Sequence, residues 1–290
     1  MGKKLFESTK RKNNTQLNDW NFSKQNQKLF KELNDINNSV EKTLHETFLK
    51  INEYDSSLLK YWTDEGLKPK IDSYLLRYVI PFYELLIQEK KKNIVDALVI
   101  QLLSCVSWRT FDNCIDTHEA AHKAQLNSLL TSFHLFDYSK SYTTEKILPA
   151  LELHYKLMTE QTVIEKSKPI ALNDIWKRCS IFLFAADEIS QLSKSNVELY
   201  KHYINYSGLA HDTHDFFSDI SGKVISLPVF WMKQLNPDEV LSINTVKLLY
   251  DKVRTEVKPL EKKFKSLQVE KKFPLMNHLL KESKRTFHDE

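Results

Sequence analysis

Apolar side chains recur at intervals of three and four residues along most of the chain, which is the spacing of one face of an α-helix. Residues 29–49 show this pattern and predict an amphipathic helix. A second helix is predicted over residues 71–88, kinked by Pro81. Residues 94–130 are the most hydrophobic and should lie at the centre of the fold. Further apolar periods of this kind predict helices at residues 142–159, 170–192, 195–220, 223–235, 239–268 and 273–285.

Glycine and proline are too scarce for a fold built on tight turns. The 290 residues include only 4 Gly and 8 Pro, far below the usual shares of about 7% and 5%. No internal repeat or linker divides the chain. We therefore predict an all-α, single-domain bundle of about ten helices over residues 26–290. Residues 1–25, rich in Lys, Asn and Gln, should form a flexible basic and polar arm.

Charge and cysteine content limit the functional classes. The net charge of +4 comes from 42 basic and 38 acidic residues, a balance that does not indicate a nucleic-acid partner. Three cysteines without a CxxC pair indicate a reducing compartment. No secretory signal pattern opens the chain, and the longest apolar run, residues 97–106, is too short to span a membrane. We expect a cytoplasmic protein without stable membrane insertion.

Acidic and imidazole side chains recur at helical spacing in residues 207–223. His211 and Asp215 are one turn apart, as are Asp215 and Asp219, so these three share one helical face, with Asp212 beside them. Stacked carboxylates repel each other unless a cation holds them together. The pattern favours a metal site over the simpler alternative, an exposed acidic turn at the start of a helix.

The hydrophobic central segment ends in a second acidic set. Asp112 and Asp116 are one turn apart, and Glu119 falls within about 20° of Asp112 at 100° per residue. Unpaired buried carboxylates are costly, and Arg109, one turn earlier, would supply an ordinary ion pair. Because two separate helices each end in such a set, facing carboxylate clusters that bind metal are the favoured explanation.

These segments resemble the motifs of a known family. Residues 112–116, Asp-Asn-Cys-Ile-Asp, are similar to its first Asp-rich motif, DDxxD, with Asn in the second place. Residues 210–219, with the Gly-Lys pair that follows, are similar to its second motif, and residues 206–210 to the small-residue helix before it. Residues 177–182 resemble the KTAxLF helix between the motifs. Over about residues 60–235 the chain resembles the class I isoprenoid synthases, which comprise trans-prenyltransferases and related terpene cyclases.

The resemblance implies a helical bundle around a central active-site cavity. It implies a terpene synthase-like enzyme that uses Mg²⁺ to ionise an allylic prenyl diphosphate, with release of diphosphate. Carboxylates together with substrate phosphates are the usual ligands of Mg²⁺. The implied metal ligands are Asp112, Asp116, His211, Asp212, Asp215 and Asp219. The implied diphosphate contacts are Arg77, Lys177, Arg178 and Lys223, and the residues implied in catalysis are Asp112, Asp116, Asp215 and Arg178.

Departures from the family pattern narrow the expected reaction. The arginine pair that follows the first motif in chain-elongating members is absent, as is their GGKRxRP element, of which residues 66–70 and Arg77 are at most a remnant. This argues against elongation and favours cyclisation, elimination or hydrolysis, with transfer to another acceptor as the alternative. His211 stands where an Asp is expected, and imidazole is a poor Mg²⁺ ligand. Either Asp212 replaces it, or the site prefers Mn²⁺.

Other metal enzymes stay open as alternatives. Residues 118–122 match HExxH, the zinc-protease pattern of two His ligands and a Glu base. A di-iron bundle would use Glu119 and His122 with His211 and Asp215. The His211-Asp212 dipeptide is also found in metal phosphohydrolases, and a non-catalytic binding protein is a further alternative. Apart from a small-molecule substrate, the expected partner is a second copy of the chain in a homodimer.

Overall fold

The protein folds into α-helices, as predicted. A computed structural model describes residues 24–64, 66–116, 121–140, 149, 152, 171–179, 182–183, 189–222, 225–236 and 241–287. No strand occurs among these residues, which contain thirteen α-helices, one π-helical turn and one 3-10 segment. The helices are α1 Lys24–Ile36, α2 Ser39–Tyr54, α3 Leu58–Asp64, α4 Lys68–Tyr74, α5 Ile80–Gln88, α6 Ile94–Asp116, α7 Ala121–Ser139, α8 Lys194–His214, α9 Phe216–Gly222, α10 Leu227–Leu235, α11 Ile243–Ser266, α12 Val269–Lys272 and α13 Pro274–Arg285.

Several predicted helices are divided in the structure. Residues 29–49 belong to two helices, α1 and α2, and residues 94–130 to α6 and α7. The helix predicted at 195–220 breaks at Asp215 between α8 and α9. Within the helix predicted at 170–192, Leu172–Cys179 is a 3-10 segment. Periodicity finds the apolar face but not these breaks, because the apolar positions continue in register across them.

Some sequence predictions fall outside the described residues. These are the helix predicted at 142–159, apart from residues 149 and 152, and residues 1–23 of the predicted arm. Helix α1 begins at Lys24, two residues before the predicted start of the helical domain.

The irregularity predicted at Pro81 is a π-helical turn that joins α4 to α5. Pro81 has no N–H to offer the carbonyl of Arg77. In the preceding turn, Leu75–Val79, backbone hydrogen bonds span five residues instead of four, and the N–H of Ile80 donates to the carbonyl of Leu75. Such turns occur often at functional sites. Here the turn leaves the Arg77 side chain exposed while its neighbours are buried. We call the unit from α4 to α5 the rod.

Helix α8 runs antiparallel to the rod. At the end of α5, the Glu89 carboxylate accepts hydrogen bonds from the N–H and hydroxyl of Ser193 at 2.9 and 2.7 Å. Ser193 is the N-cap of α8. At the other end of α8, His211 lies close enough to Lys70 and Arg77, in the first half of the rod, to sense their charges.

Helix α6 also runs antiparallel to the rod, so α6 and α8 are parallel. It begins at Ile94, soon after the rod ends, and near its own end Trp108 contacts Tyr74 of α4, with 5.9 Å between ring centroids. Between the two helices, Gln101 donates a hydrogen bond of 2.8 Å to the hydroxyl of Tyr200. Both helices are about 30–35 Å long at 1.5 Å per residue. Their last turns therefore lie at the same end of the fold.

We name the two ends of this helix pair for use below. The closed end is where α6 and α8 begin, beside Glu89 and Ser193. The open end is where they finish, at Asp116 and His214, beside Lys70 and Arg77.

The 3-10 segment Leu172–Cys179 is held against α8 by a close backbone approach. A Cβ atom on Gly208 would meet Cγ2 of Ile175 at 2.5 Å, so no larger residue fits there without movement. The buried Asn205 side chain accepts from the N–H of Trp176 at 2.7 Å and donates to the carbonyl of Asn173 at 3.0 Å. The close approach of Ile175 explains the glycine within residues 206–210.

Helix α6 is central. Its residues 97–106 are all buried, and the buried apolar side chains form one cluster that extends from Leu33 to Phe287. Ile94–Phe111 is long and apolar enough to cross a membrane by length and composition, although residues 97–106 alone are too short. Because 67% of this stretch is buried inside the protein, packing in the core accounts for its hydrophobicity.

Candidate functional site

The acidic segment at the end of α8 places two of its members in direct contact. Nε2 of His211 lies 3.6 Å from a carboxylate oxygen of Asp215, and both side chains are close to half exposed. Asp212, one residue along, is 6% exposed and points away from this surface. The structure therefore separates the alternatives of the sequence analysis: His211 and Asp215 share the outer face, and Asp212 is directed inward.

Two basic side chains of the rod, Arg77 and Lys70, lie close enough to His211 to influence its pKa. Removal from water lowers the pKa of His211 below its usual value, the carboxylates of Asp212 and Asp215 oppose this, and the charges of Arg77 and Lys70 lower it further. The imidazole is thus biased towards its neutral form, which is the form that binds metal. Arg77 was predicted as a diphosphate contact. Lys70 was noted only as part of a remnant motif.

Asp219 stands slightly apart from the other acidic residues. The helix is interrupted at Asp215, which ends α8, and α9 starts at Phe216. The N–H of Asp219 still donates to the carbonyl of Asp215 at 2.8 Å. Asp219 therefore keeps its one-turn spacing from Asp215, but it belongs to a separate short helix.

Asp112 and Asp116 lie in the last two turns of α6, at the open end. Only their backbone is described, so the structure places them at the same end as His211 and Asp215 without giving side-chain contacts. Gln101 and Tyr200, which bond to each other, are each eleven residues before Asp112 and His211 respectively. Equal distances of about 16 Å along parallel helices bring the two segments to a similar level.

The other predicted cations are less closely associated with this end. Lys177 forms an exposed ion pair of 3.0 Å with Asp174, one turn earlier on its own segment. Arg178 lies on the same 3-10 segment, with only its backbone described. Lys223 lies outside the described residues.

The HExxH alternative lies largely outside the described residues. His118 and Glu119 lie outside the described residues, and only the backbone of His122, on α7, is described. The di-iron alternative shares these residues, and of its set the structure brings together His211 and Asp215.

A second Glu/His/Glu group joins the first and last helices. One ligand atom each from Glu32, His278 and Glu282 lies within 4.8 Å of the others. Arg285 already holds the Glu282 carboxylate at 2.7 Å, and Lys28 lies 3.8 Å from Glu32. These cations account for the group without a metal.

An aromatic cluster that sequence reasoning did not single out lies between the rod, α6 and residue 182. Ring centroids are 4.8 Å apart for Tyr78 and Phe182, and 5.9 Å apart for Trp108 and each of Tyr74 and Phe182. The indole N–H of Trp108 is buried and has no hydrogen-bond partner in the described part of the chain. The one-turn spacing of Tyr74 and Tyr78 was the available signal, but it is equally typical of an ordinary core.

The donor set suits a hard or borderline divalent ion. Asp215 offers carboxylate oxygens and His211 offers one imidazole nitrogen on the outer face, whereas the Asp212 carboxylate is buried. Oxygen ligands fit Mg²⁺ or Mn²⁺, while a single nitrogen ligand shifts the preference towards Mn²⁺. Among the described side chains at this end, no three potential ligands lie within 4.8 Å of one another, so a metal here would also need ligands such as Asp112 and Asp116.

No protein-family model matches the chain, and no curated protein or solved structure matches it significantly. The resemblance to class I isoprenoid synthases thus rests on the motifs in the sequence and stays a prediction.

Proposed function

We propose that the protein is a metal-dependent, terpene synthase-like enzyme that ionises an allylic prenyl diphosphate. The observation that supports this most is the parallel course of α6 and α8, because it brings the ends of the two acidic segments to one end of the fold. Lys70 and Arg77 lie at the same end. An anionic substrate that carries metal needs both kinds of charge there.

In the proposed reaction, the bond between the allylic carbon and the diphosphate oxygen breaks, and the electron pair leaves with the diphosphate. Arg77 would donate hydrogen bonds to the departing oxygens, and Lys70 would add positive charge beside them. Asp112, Asp116, Asp212, Asp215 and Asp219, with His211, would hold Mg²⁺ or Mn²⁺, which neutralises charge on the diphosphate when bound.

The remaining carbocation needs a dry environment with electron-rich surfaces. The cluster of Tyr74, Tyr78, Trp108 and Phe182 offers aromatic faces next to the rod and α6. Aromatic faces attract cations. Loss of a proton from the cation, with or without ring closure, or capture by water or another acceptor, would complete the reaction.

The direct test is incubation with C10 to C25 prenyl diphosphates and Mg²⁺ or Mn²⁺, followed by analysis of extractable products and free diphosphate. We expect diphosphate release that requires added metal. Release of diphosphate by wild type but not by Asp215→Asn would support the proposal. No release with any chain length or metal would refute it.

Two alternatives give different results in the same preparation. Transfer to another acceptor would release diphosphate only when that acceptor is present. A di-iron or zinc enzyme, which His211 and Asp215 could also serve, would retain stoichiometric Fe or Zn after purification. Loss of that metal in a His118→Ala, His122→Ala double variant would favour the zinc enzyme.

For the quaternary state we propose a homodimer through α7 of a cytoplasmic protein. This helix turns Ser128, Thr131 and Ser132 inward, while four large apolar side chains on its outer face are 39–67% exposed: Leu126, Leu129, Leu130 and Phe133. Together they form an exposed apolar patch of roughly a few hundred Å², a size that also occurs on monomers and is often functional. Residues 125–133 carry no Asp, Glu, Lys or Arg, so the face can meet its own copy without charge repulsion.

A membrane-surface helix would instead carry Lys and Arg beside its apolar face. Light scattering should therefore show a dimer, and Leu129→Lys should make it a monomer. A monomeric wild type would refute this proposal.

A further inference from the structure

The positive charge of the chain is concentrated near its C-terminus. Residues 258–285 contain nine Lys and Arg against three Glu, a net charge of +6, while the rest of the chain, with 33 basic and 35 acidic residues, carries −2. All nine of these basic side chains are exposed. The balanced overall charge therefore conceals a strongly basic surface on α11, α12 and α13.

This surface contains a pocket of about 290 Å³ between α8, α11, α12 and α13. Its apolar lining comes from Tyr206, Phe264, Val269 and Leu280, all of them buried core residues with an edge towards the pocket. The volume is close to the lower end of ligand pockets, about 300–1,000 Å³.

The polar lining of the pocket divides into paired and unpaired groups. Glu261 is occupied, because it accepts from the Tyr206 hydroxyl at 3.2 Å and pairs with Lys284 at 2.9 Å. Lys265 and Lys281 also line the pocket, are exposed, and have no ion-pair partner among the described residues. The exposed carboxylate of Glu270 lines the pocket as well. The pocket thus combines an apolar floor with two available cations.

We propose that this pocket binds an anionic amphiphile, with an apolar chain against Phe264 and Leu280 and a carboxylate or phosphate group between Lys265 and Lys281. Each half of the ligand matches one half of the lining. A purely polar anion would leave the apolar floor wet, and an apolar molecule would leave the two lysines unused. The site is separate from the open end and does not depend on the proposed catalytic function.

Nucleic acid fits the surface less well than an amphiphile. Binding of single strands uses exposed aromatic side chains on which bases stack. In residues 258–285 the aromatic side chains, Phe264 and Phe273, are 7% and 5% exposed. Phe264 lines the pocket and can contact a chain that enters it, but neither ring offers an exposed platform for stacking.

An occupant of the pocket would contact the helix that carries the candidate metal site. Tyr206 is on α8, five residues before His211, and its ring also contacts Phe264 and Phe287. The amphiphile could be a free molecule or one chain and headgroup of an anionic membrane lipid. The same chemistry serves both, so the test must separate them.

Calorimetric titration of the full chain with decyl phosphate tests the site, with decanol and inorganic phosphate as half-ligand controls. We expect decyl phosphate to bind at one site per chain and both controls to bind much more weakly. Lys265→Ala with Lys281→Ala should weaken binding by about tenfold or more through loss of two charge-assisted contacts. Equal binding of inorganic phosphate, or of heparin in place of decyl phosphate, would overturn the proposal.

A matched double variant on the same surface separates the pocket from general charge. Lys258→Ala with Lys262→Ala removes the same charge from α11 outside the pocket lining and should leave the affinity within about twofold. Equal weakening by both double variants would overturn the site. Because the four lysines are exposed, we expect all the variants to fold.

Vesicle sedimentation identifies the source of the ligand. Binding to phosphatidylserine-containing vesicles, lost in the Lys265/Lys281 variant but not in the Lys258/Lys262 variant, would assign the pocket to a membrane lipid. Binding of decyl phosphate without such vesicle binding would assign it to a free amphiphile. Failure of both would overturn the proposal.

Discussion

Charged side chains are closely paired at the closed end of the α6–α8 pair and only loosely paired at its open end. At the closed end, Glu89 accepts hydrogen bonds from Ser193 and Asn196 and pairs with Lys91 at 3.2 Å. At the open end, His211 and Asp215 have one contact of 3.6 Å. The neighbouring Lys70 and Arg77 form no ion pair among the described residues.

This difference separates a structural carboxylate from candidate ligands. Burial alone would raise the pKa of Glu89, but the hydrogen bonds from Ser193, Asn196 and Lys91 lower this pKa below its usual value. The Glu89 carboxylate therefore stabilises the fold through its contacts with Ser193, Asn196 and Lys91. At the open end, charges of both signs are close together but only loosely paired, which leaves them available to a ligand.

The largest expected effect comes from removing a carboxylate at the open end. Asp112→Ala or Asp215→Ala should lower turnover of a prenyl diphosphate by at least about a hundredfold, because charge stabilisation of this kind contributes about 2.7 kcal/mol or more to catalysis. Circular dichroism should show an unchanged fold. The control is Asp251→Ala, which removes an exposed carboxylate paired with Arg254 on α11. Near-normal turnover of Asp112→Ala would contradict the role of the first acidic segment.

The close contact of the Ile175 side chain with Gly208, near the open end of α8, should have the largest effect on stability. Gly208→Ala would place a methyl group 2.5 Å from Cγ2 of Ile175, and overpacking of this kind costs up to about 3 kcal/mol. Urea denaturation measures the loss in the free energy of unfolding. Ile175→Ala removes the clashing atom, so the double variant should be less unstable than the two single effects added together. Strict additivity would show that the close approach is not maintained.

The open end shows how much of this molecule could be predicted from its sequence. Apolar spacing predicted the helical fold, which the structure confirms. Carboxylate spacing predicted a metal site, which stays a prediction. It could not predict that His211 faces outward while Asp212 is buried, because this depends on how α8 is rotated against its neighbours. Only the family resemblance suggested Arg77 as part of this site, and nothing in the sequence placed Lys70 beside residues more than 130 positions later in the chain.

The buried carboxylate of Glu84 differs from that of Glu89 in the direction of its pKa shift. Glu84 accepts from the N–H groups of Leu275 and Met276 at 2.8 and 2.7 Å, at the start of α13. Burial raises its pKa from 4.5 to about 7, despite these donors. The folded state then binds the proton more tightly than the unfolded state, so the contribution is full below pH 4.5 and is lost as the pH rises through 7.

At 1.36 kcal/mol per pKa unit this shift corresponds to roughly 3 kcal/mol. The pKa of about 7 already includes the effect of the two N–H donors, which favour the charged form. Unfolding free energies measured from pH 4.5 to 7.5 should show this loss in wild type and not in Glu84→Gln. Glu89→Gln is a matched control in which the pH dependence has the opposite sign. Because the pKa of Glu89 is lowered in the folded state, its carboxylate stabilises the wild type above the unfolded pKa, and this stability is lost as the pH falls. The Glu89→Gln variant should lack that dependence. An unchanged pH profile in Glu84→Gln would rule out a raised pKa.

The smallest effect should come from exchanging one ligand type at the open end. If His211 binds the metal, His211→Asp gives an all-oxygen set and should raise the ratio of Mg²⁺-supported to Mn²⁺-supported turnover by roughly three- to tenfold. The inward position of Asp212 offers the competing outcome, in which Asp212→Ala abolishes turnover while His211→Ala is mild. His214→Asp is the control, since His214 is also exposed in the last turn of α8 but is not among the proposed ligands. Turnover measured with both metals decides between His211 and Asp212. Unchanged turnover in the variants at His211, Asp212, Asp215 and Asp219 would show that α8 and α9 carry no metal site.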